Sequence, residues 1–389
     1  MRPIPIIFVI MVVVVGSPGE GQTPDLESTR KSEPTSFTDS GQNLGDSRTF
    51  ALAAGDVDGN GSVDLFVSNY QGPSKVWTND GHGVFTDSGQ SIGTYSSHGV
   101  ALGDLDNDGD LDAFLVFNGN TDRVFLNDGS GRYTDSGQRL GQANGHGLSV
   151  TLGDLDSDGD LDALVNRIDQ SNRIWFNDGD GRLSASGQNL GGAESRGMAV
   201  ADLDSDHDLD IYLANSGMVD QVWLNDGRGS FHNSGQALGT TDGWGSPALG
   251  DLDGDGDADV FVTNSTHGNS VWLNDGGGSF SPFVRYFGQG LHVALGDLEN
   301  DGDLDAFTVT QLSGSFVFVN DGNGIFNTVG PLLGSEEGSI SLALGDVDRD
   351  RDLDVFIGKI EGFGGNRLYL CTTPRVTVRN PSGRVRPLP

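Results

Sequence analysis

The 389-residue sequence predicts an all-β protein, a seven-bladed β-propeller whose ring is closed by an N-terminal strand completing the last blade. Three observations predict it. An Asp-rich loop recurs, beginning at Asp56, Asp104, Asp154, Asp202, Asp251, Asp297 and Asp346, with spacings of 48, 50, 48, 49, 46 and 49 residues. A period of that size matches one four-stranded blade that buries its faces against its neighbours. Between the loops, apolar and β-branched runs alternate with Gly-rich turns, and no stretch sustains a helical period. The third observation is a permutation at the ends. The seventh repeat stops at Asn366-Arg367-Leu368-Tyr369-Leu370 without an outer strand, while Phe37-Thr38-Asp39-Ser40-Gly41-Gln42 precedes the first loop and nearly repeats Phe85-Thr86-Asp87-Ser88-Gly89-Gln90. A strand moved from one end to the other is what a closed ring needs to remove its open edge.

Taken from the start, residues 1–21 read as a secretory signal. Met1-Arg2-Pro3 precedes an apolar run from Ile4 to Gly16 and then Ser17-Pro18-Gly19-Glu20-Gly21, which is a basic start, a short apolar core and small residues. The run is short for a membrane span, so no span is expected to remain after cleavage. The expected location is secreted, extracellular or cell-surface, or periplasmic in a Gram-negative envelope. Residues 22–35 read as a flexible leader, 36–373 as the propeller, and 374–389 as a basic, Pro-containing tail.

Within a repeat, Gly99-Val100-Ala101-Leu102-Gly103 enters the loop as the first strand, and Leu111-Asp112-Ala113-Phe114-Leu115-Val116-Phe117 leaves it as a buried second strand. Arg123-Val124-Phe125-Leu126 is the third strand, Asn127-Asp128-Gly129-Ser130-Gly131 a hairpin, and Arg132-Tyr133-Thr134-Asp135-Ser136-Gly137-Gln138 the outer strand. Trp77, Trp175, Trp223 and Trp272 recur in third strands and are expected to pack between blades.

Each loop follows D-x-D-x-[DN]-x-x-x-D. Positions 1, 3, 5, 7 and 9 are Asp56, Asp58, Asn60, Ser62 and Asp64 in the first; Asp104, Asp106, Asp108, Asp110 and Asp112 in the second; Asp154, Asp156, Asp158, Asp160 and Asp162 in the third; Asp202, Asp204, Asp206, Asp208 and Asp210 in the fourth; Asp251, Asp253, Asp255, Asp257 and Asp259 in the fifth; Asp297, Glu299, Asp301, Asp303 and Asp305 in the sixth; Asp346, Asp348, Asp350, Asp352 and Asp354 in the seventh. So many carboxylates within nine residues repel one another unless a cation sits among them. Positions 1, 3 and 5 can converge side chains on one ion, position 7 can offer its carbonyl, and position 9 closes the set, an all-oxygen environment suited to Ca2+. The single Cys and few His argue against zinc or copper. Up to seven Ca2+ ions are therefore expected, and they would serve an exported chain that has only Cys371 and hence no intrachain disulfide. Glu299 in the sixth loop, and Arg349 and Arg351 in the seventh, predict weaker binding there than in the second, third and fifth.

Repeats reading ALGDLDNDGDLDAFLVF resemble the FG-GAP or VCBS-type repeat of integrin alpha-subunit propellers and of many secreted proteins. The resemblance covers roughly residues 36–371. It implies a calcium-stabilised scaffold for recognising a ligand or partner, and it carries the calcium role position by position onto the seven loops. The FG element itself is reduced to SGQ-x-L/I-G, with Phe287-Gly288-Gln289 in one blade.

In such propellers the face opposite the loops surrounds the channel. There the sequence places Arg48, His98, His146, Arg196, Trp244 and His292, candidates for holding glycan hydroxyls or acidic groups; ordinary drift at a solvated turn is the plainer explanation. The net charge of −34 argues against nucleic acid. The expected function is an extracellular ligand-binding or adhesion module, monomeric, with a protein or glycan partner. A lectin-like protein is the alternative, and a polysaccharide lyase or hydrolase a further one. Asp122, Asp169 and Asp220 lie outside the loops without a recurring acid–base partner, so no catalytic residue is expected.

Overall fold

A computed structural model gives the fold; it describes residues 36–372 apart from 169, 193–194, 240–242, 312–313, 332–337 and 361–363. The expected signal, leader and basic tail lie outside the described residues, as does Asp169. The described residues form seven four-stranded antiparallel sheets and no helix. Blade 1 is typical, with strands Thr49–Gly55, Asp64–Asn69, Lys75–Asn79 and Phe85–Asp87 running from the inside outward.

Innermost strands touch in cyclic order, and Ser339–Gly345 of blade 7 returns to Thr49–Gly55 of blade 1. The strand Ser36–Asp39 pairs with Arg367–Thr372, Phe37 opposite Cys371, and so completes the seventh sheet. That is the permutation read from the repeats.

The core consists of layers between blades. Second strands such as Asp112–Phe117 are buried along their whole length, because alternate side chains face the two neighbouring sheets. Phe66, Ala53 and Val76 of blade 1 pack with Leu115, Phe117 and Tyr133 of blade 2, and burying one such Phe stabilises the fold by roughly 1.5–3 kcal/mol. The four recurrent Trp residues belong to these layers, as expected.

Two polar residues, read from sequence as turn and strand positions, staple one blade to the next. The Gln of each SGQ run donates to a hairpin carbonyl of the following blade and accepts an N–H two residues on: Gln90 to Gly131 O at 2.6 Å and from Tyr133 N at 3.0 Å. Gln42, on the N-terminal strand, does the same to Gly83 and Phe85 of blade 1. The Asn of each hairpin reaches back to the loop of the preceding blade, as in Asn127 Nδ2 to Val57 O at 2.8 Å and Asn177 Nδ2 to Leu105 O at 2.8 Å.

The inner strands also bulge. The pairing shifts between Thr49 and Ala51, Ser97 and Gly99, Gly147 and Ser149, Ser195 and Gly197, and Ser339 and Ser341. Phe50, His98, Leu148, Arg196 and Ile340 are the extra residues. A bulge re-aims the side chain it carries, and nothing in the repeat pattern announced these.

Candidate metal centres

Each loop joins a blade's first and second strands and is wound by its own carboxylates. In the second loop Asp104 Oδ1 accepts Asp108 N at 3.1 Å, Asp104 Oδ2 accepts Gly109 N at 3.0 Å, and Asp108 Oδ1 accepts Asp110 N at 3.0 Å. The backbone enters the left-handed region twice, at positions 4 and 6. Position 6 is Gly in five loops, but His207 (φ 75°) and Arg351 (φ 75°) stand there in the fourth and seventh. Position 4 adopts φ 58° at Asn107 and 63° at Arg349; that second turn was not expected, although Asn, Ser and Gly predominate there.

Position 9 differs from the others. Asp112 Oδ2 accepts Leu105 N at 3.0 Å and its Oδ1 accepts Asn127 N at 2.8 Å, tying the loop to the hairpin of the same blade. The same pair of bonds holds Asp64, Asp162, Asp210, Asp259 and Asp305, and in blade 7 Cys371 N supplies the second donor to Asp354. Burial nevertheless lifts these carboxyls, to about 6 for Asp64, Asp112, Asp210 and Asp259 and to about 7 for Asp162, Asp305 and Asp354. Burial outweighs the two N–H donors, and nearby loop carboxylates push in the same direction.

In each of the first five loops, three carboxylates bring one oxygen apiece within 4.8 Å of one another: Asp56, Asp58 and Asp64; Asp104, Asp106 and Asp108; Asp154, Asp156 and Asp162; Asp202, Asp204 and Asp206; Asp251, Asp253 and Asp255. The Oδ1 atoms of Asp106, Asp156, Asp202 and Asp204 are buried and accept no hydrogen bond. A buried carboxylate oxygen without a donor is costly, and converging oxygens of this kind fit a hard divalent cation. The residues thus suit Ca2+, with positions 1, 3 and 5 and the free lone pairs of position 9 as side-chain donors.

At four junctions the position 7 side chain is bonded instead to the preceding blade. Asn107 Nδ2, at position 4 of the second loop, donates to Asp160 Oδ1 of the third at 2.7 Å. Ser157 and Asp208, and Asn300 and Asp352, are linked in the same way at 2.9 and 2.7 Å. At the junction of blades 7 and 1, Arg349 Nη2 takes the position-4 role, 2.8 Å from Ser62 Oγ and 3.2 Å from Asn60 O. The guanidinium expected to weaken the seventh loop therefore lies on the first. Asp110 also crowds the hairpin of its own blade so closely that a Cβ on Gly129 (φ 74°) would overlap its carboxylate.

The profile of the FG-GAP-like repeat matches six overlapping segments, 56–115, 104–165, 154–213, 202–262, 251–308 and 297–357, each running from a loop's first aspartate into the second strand of the following blade. The chain belongs to the FG-GAP-like repeat family. No curated protein matches it. Among solved structures, this FG-GAP-like propeller is similar to an Agrocybe aegerita lectin described as recognising non-reducing terminal N-acetylglucosamine (22% identity, TM-score 0.54, covering 83% of this chain and 88% of the lectin). It is similar to a Burkholderia pseudomallei lectin as well (15% identity, TM-score 0.65, 84% and 96%). A third is BBS1N solved in complex with ARL6DN (11% identity, TM-score 0.60, 87% and 98%). These likenesses concern the fold.

On the opposite face of the FG-GAP-like propeller, the six channel-mouth candidates do not form one ring of equivalent groups. His98 and Arg196 sit on bulges, whereas Arg48 and His146 each lie two residues before one. His98 is buried and stacked on Phe50 at 4.4 Å, with the Arg48 guanidinium 5.0 Å from Phe50 and 4.8 Å from Tyr70. Burial, with Arg48 and His146 nearby, holds the His98 imidazole down at about 3. Arg196 lies over Trp244 at 4.9 Å, and Trp244 packs on Leu291 and Ile340. His292 is fully enclosed and its imidazole is likewise lowered to about 3 by burial. The face is two local clusters, Arg48–Phe50–Tyr70–His98 and Arg196–Trp244, with His146 exposed beside the first.

Proposed function

We propose that this FG-GAP-like propeller is a secreted, calcium-loaded scaffold acting as an extracellular ligand-binding or adhesion module rather than a catalyst. The donorless buried oxygens of Asp106, Asp156, Asp202 and Asp204, set among further carboxylates, carry the calcium part of this reading. Export rests on the N-terminal sequence, and no helix among the described residues is long and apolar enough to cross a membrane. Two of the non-loop carboxylates are engaged inside the fold, Asp122 by Arg167 and Asp220 by Asn215 N and Tyr212 Oη, which favours a binding role over general acid–base chemistry. A glycan ligand is the second reading, supported by the two lectins that share the fold.

The test is a metal analysis of purified protein with melting curves in calcium and in excess chelator, followed by glycan and matrix-protein arrays in both conditions. Several equivalents of calcium and a melting point that falls on chelation are expected, with array binding lost alongside. Protein free of calcium whose melting point ignores chelator would overturn the reading, and turnover of a polysaccharide would replace binding with catalysis.

A further inference from the structure

The residue at the entry to the third strand, its first residue or the one before it, is buried in every blade and polar throughout: Ser74, Asp122, Asn172, Asp220, Asn269, Ser315 and Asn366. Where it is Asn or Asp, its side chain accepts an N–H from the end of the second strand, as Asp122 does from Phe117 and Asp220 from Asn215. It is an aspartate at two junctions only, and the two share a pattern of glycines. Asp122 bridges Leu140 and Asp220 bridges Leu238. Glycines follow one, five and seven residues after each leucine: Gly141, Gly145 and Gly147 at the first junction, Gly239, Gly243 and Gly245 at the second.

What fills the two junctions differs. Between blades 2 and 3, Arg167 comes in from the end of a second strand, 1% exposed, with its Nη2 on Asp122 Oδ2. Its guanidinium occupies the room that the glycines leave, since a Cβ on Gly141 would meet Nη2 at 2.9 Å and one on Gly145 would overlap Nη1. Between blades 4 and 5 the residue at the same distance from its loop is Asn264; its shorter amide takes the room at Gly243, where a Cβ would overlap it, and its Oδ1 caps its own turn through Thr266 N and His267 N. A small pocket remains between that amide and the carboxylate, bounded by Asp220, Gly239, Gly243, Gly245, Asn264 and Trp272. Asp220 is 5% exposed and its hydrogen-bond donors, Asn215 N at 2.8 Å and Tyr212 Oη at 3.1 Å, are neutral.

We propose that the pocket between blades 4 and 5 is a guanidinium-binding site, in which a guanidinium from outside the chain takes against Asp220 the place that Arg167 takes against Asp122. The warrant is internal: a buried aspartate with the same glycine spacing recurs at two junctions, and at one of them the chain's own guanidinium reaches the carboxylate. A planar cation satisfies a buried carboxylate better than a point charge does, because its fork of N–H groups matches the carboxylate oxygens, and the Trp272 ring offers a wall for stacking. Burial raises the carboxyls of Asp122 and Asp220 alike to about 7, and among the described residues only the first has a guanidinium against it. The site is independent of the metal loops, which lie at the other ends of the strands.

The test titrates N-acetyl-argininamide into the intact protein at pH 8 by calorimetry, with the lysine and citrulline analogues as controls. Saturable binding of the arginine compound is expected, at least tenfold tighter than lysine, with none for uncharged citrulline. Asp220→Asn should weaken binding tenfold or more; the fold should tolerate it, because Asn172, Asn269 and Asn366 stand at the equivalent positions. Asn264→Arg should refill the socket, abolishing binding and raising the melting temperature by a few degrees. A decapeptide with one central arginine separates the sources. Tighter binding than the amide marks a protein partner, and equal binding marks a small guanidine. Arginine and citrulline binding alike, affinity unchanged in Asp220→Asn, or no binding at all would overturn the proposal.

Discussion

Asn79 of blade 1 donates its side-chain amide to the carbonyl of Val347 in blade 7, 2.8 Å away and 268 residues distant in sequence. The contact repeats at every junction where a hairpin Asn exists, from Asn127–Val57 to Asn320–Leu252. At this junction it also joins the two ends of the chain.

Replacing Asn79 with Ala leaves the carbonyls of Val63 and Val347 without this donor. The expected loss is roughly 2–4 kcal/mol, since each buried group left unpaired costs about 1–3 kcal/mol. Asn225→Ala, at an internal junction, should cost a similar amount. Only Asn79→Ala should speed amide exchange in the strand Ser36–Asp39, whose pairing closes the ring. Chemical denaturation gives the first quantity and hydrogen exchange the second; equal exchange in both variants would separate the staple from closure.

The ninth carboxylate and the third have different duties, and chelator distinguishes them. Asp112 holds Leu105 N and Asn127 N, whereas Asp106 Oδ1 holds nothing within the protein. Asp112→Ala should therefore destabilise by roughly 2–5 kcal/mol with or without calcium, because two buried N–H groups lose their acceptor. Asp106→Ala should lower the melting point only in calcium, and in chelator should match or exceed the parent once a repelling charge is gone. Paired melts in calcium and chelator decide it.

The fold was readable because its cause repeats. Seven acidic loops at a near-constant period, and an outer strand displaced to the N-terminus, fix blade number and closure without knowledge of any single contact. The convergence of the loop carboxylates was readable for the same reason. The inter-blade roles of Asn127 and Gln90 were not, because a turn-former and a strand glutamine look the same whether or not a neighbouring blade lies within reach. The bulges at Phe50, His98 and Arg196 shift register by one residue, and a shift of one decides which side chain faces the channel. That is why the proposed ring of six came apart into two clusters. The pairing of Asp122 with Arg167 was not legible in the sequence, because the two lie 45 residues apart.

His98 and His292 give a pH signature with a definite sign. Their folded values lie near 3, below the model-peptide value of 6.5, because burial disfavours the imidazolium. Below pH 6.5 the unfolded chain takes up protons that the folded chain refuses, so this contribution to stability is present above 6.5 and is lost as pH falls toward 3. His98→Leu, which installs the residue that Leu148 provides on the corresponding bulge, removes one such proton. Its stability relative to the parent should improve by about 1.4 kcal/mol per pH unit below 6.5. Denaturation at pH 7.5, 6 and 5 measures the slope; parallel curves would place a charged imidazole in the folded state.

Arg349 should order the calcium affinities differently from the sequence pattern. Its guanidinium reaches Ser62 Oγ and Asn60 O, so the cation stands over a loop whose fifth and seventh residues are already neutral. The seventh loop keeps Asp346, Asp348, Asp350 and Asp354, and its Arg351 is exposed. Repulsion between a guanidinium and a divalent ion several ångströms away, near the surface, is worth roughly 1 kcal/mol at moderate salt. Arg349→Ala should therefore tighten calcium binding at the first loop about fivefold and leave the seventh nearly unchanged, with the gain shrinking as salt rises. A calcium titration followed at the Gly61 and Arg351 amides reports the two loops separately. Tightening at Arg351 instead would return the charge to its own loop.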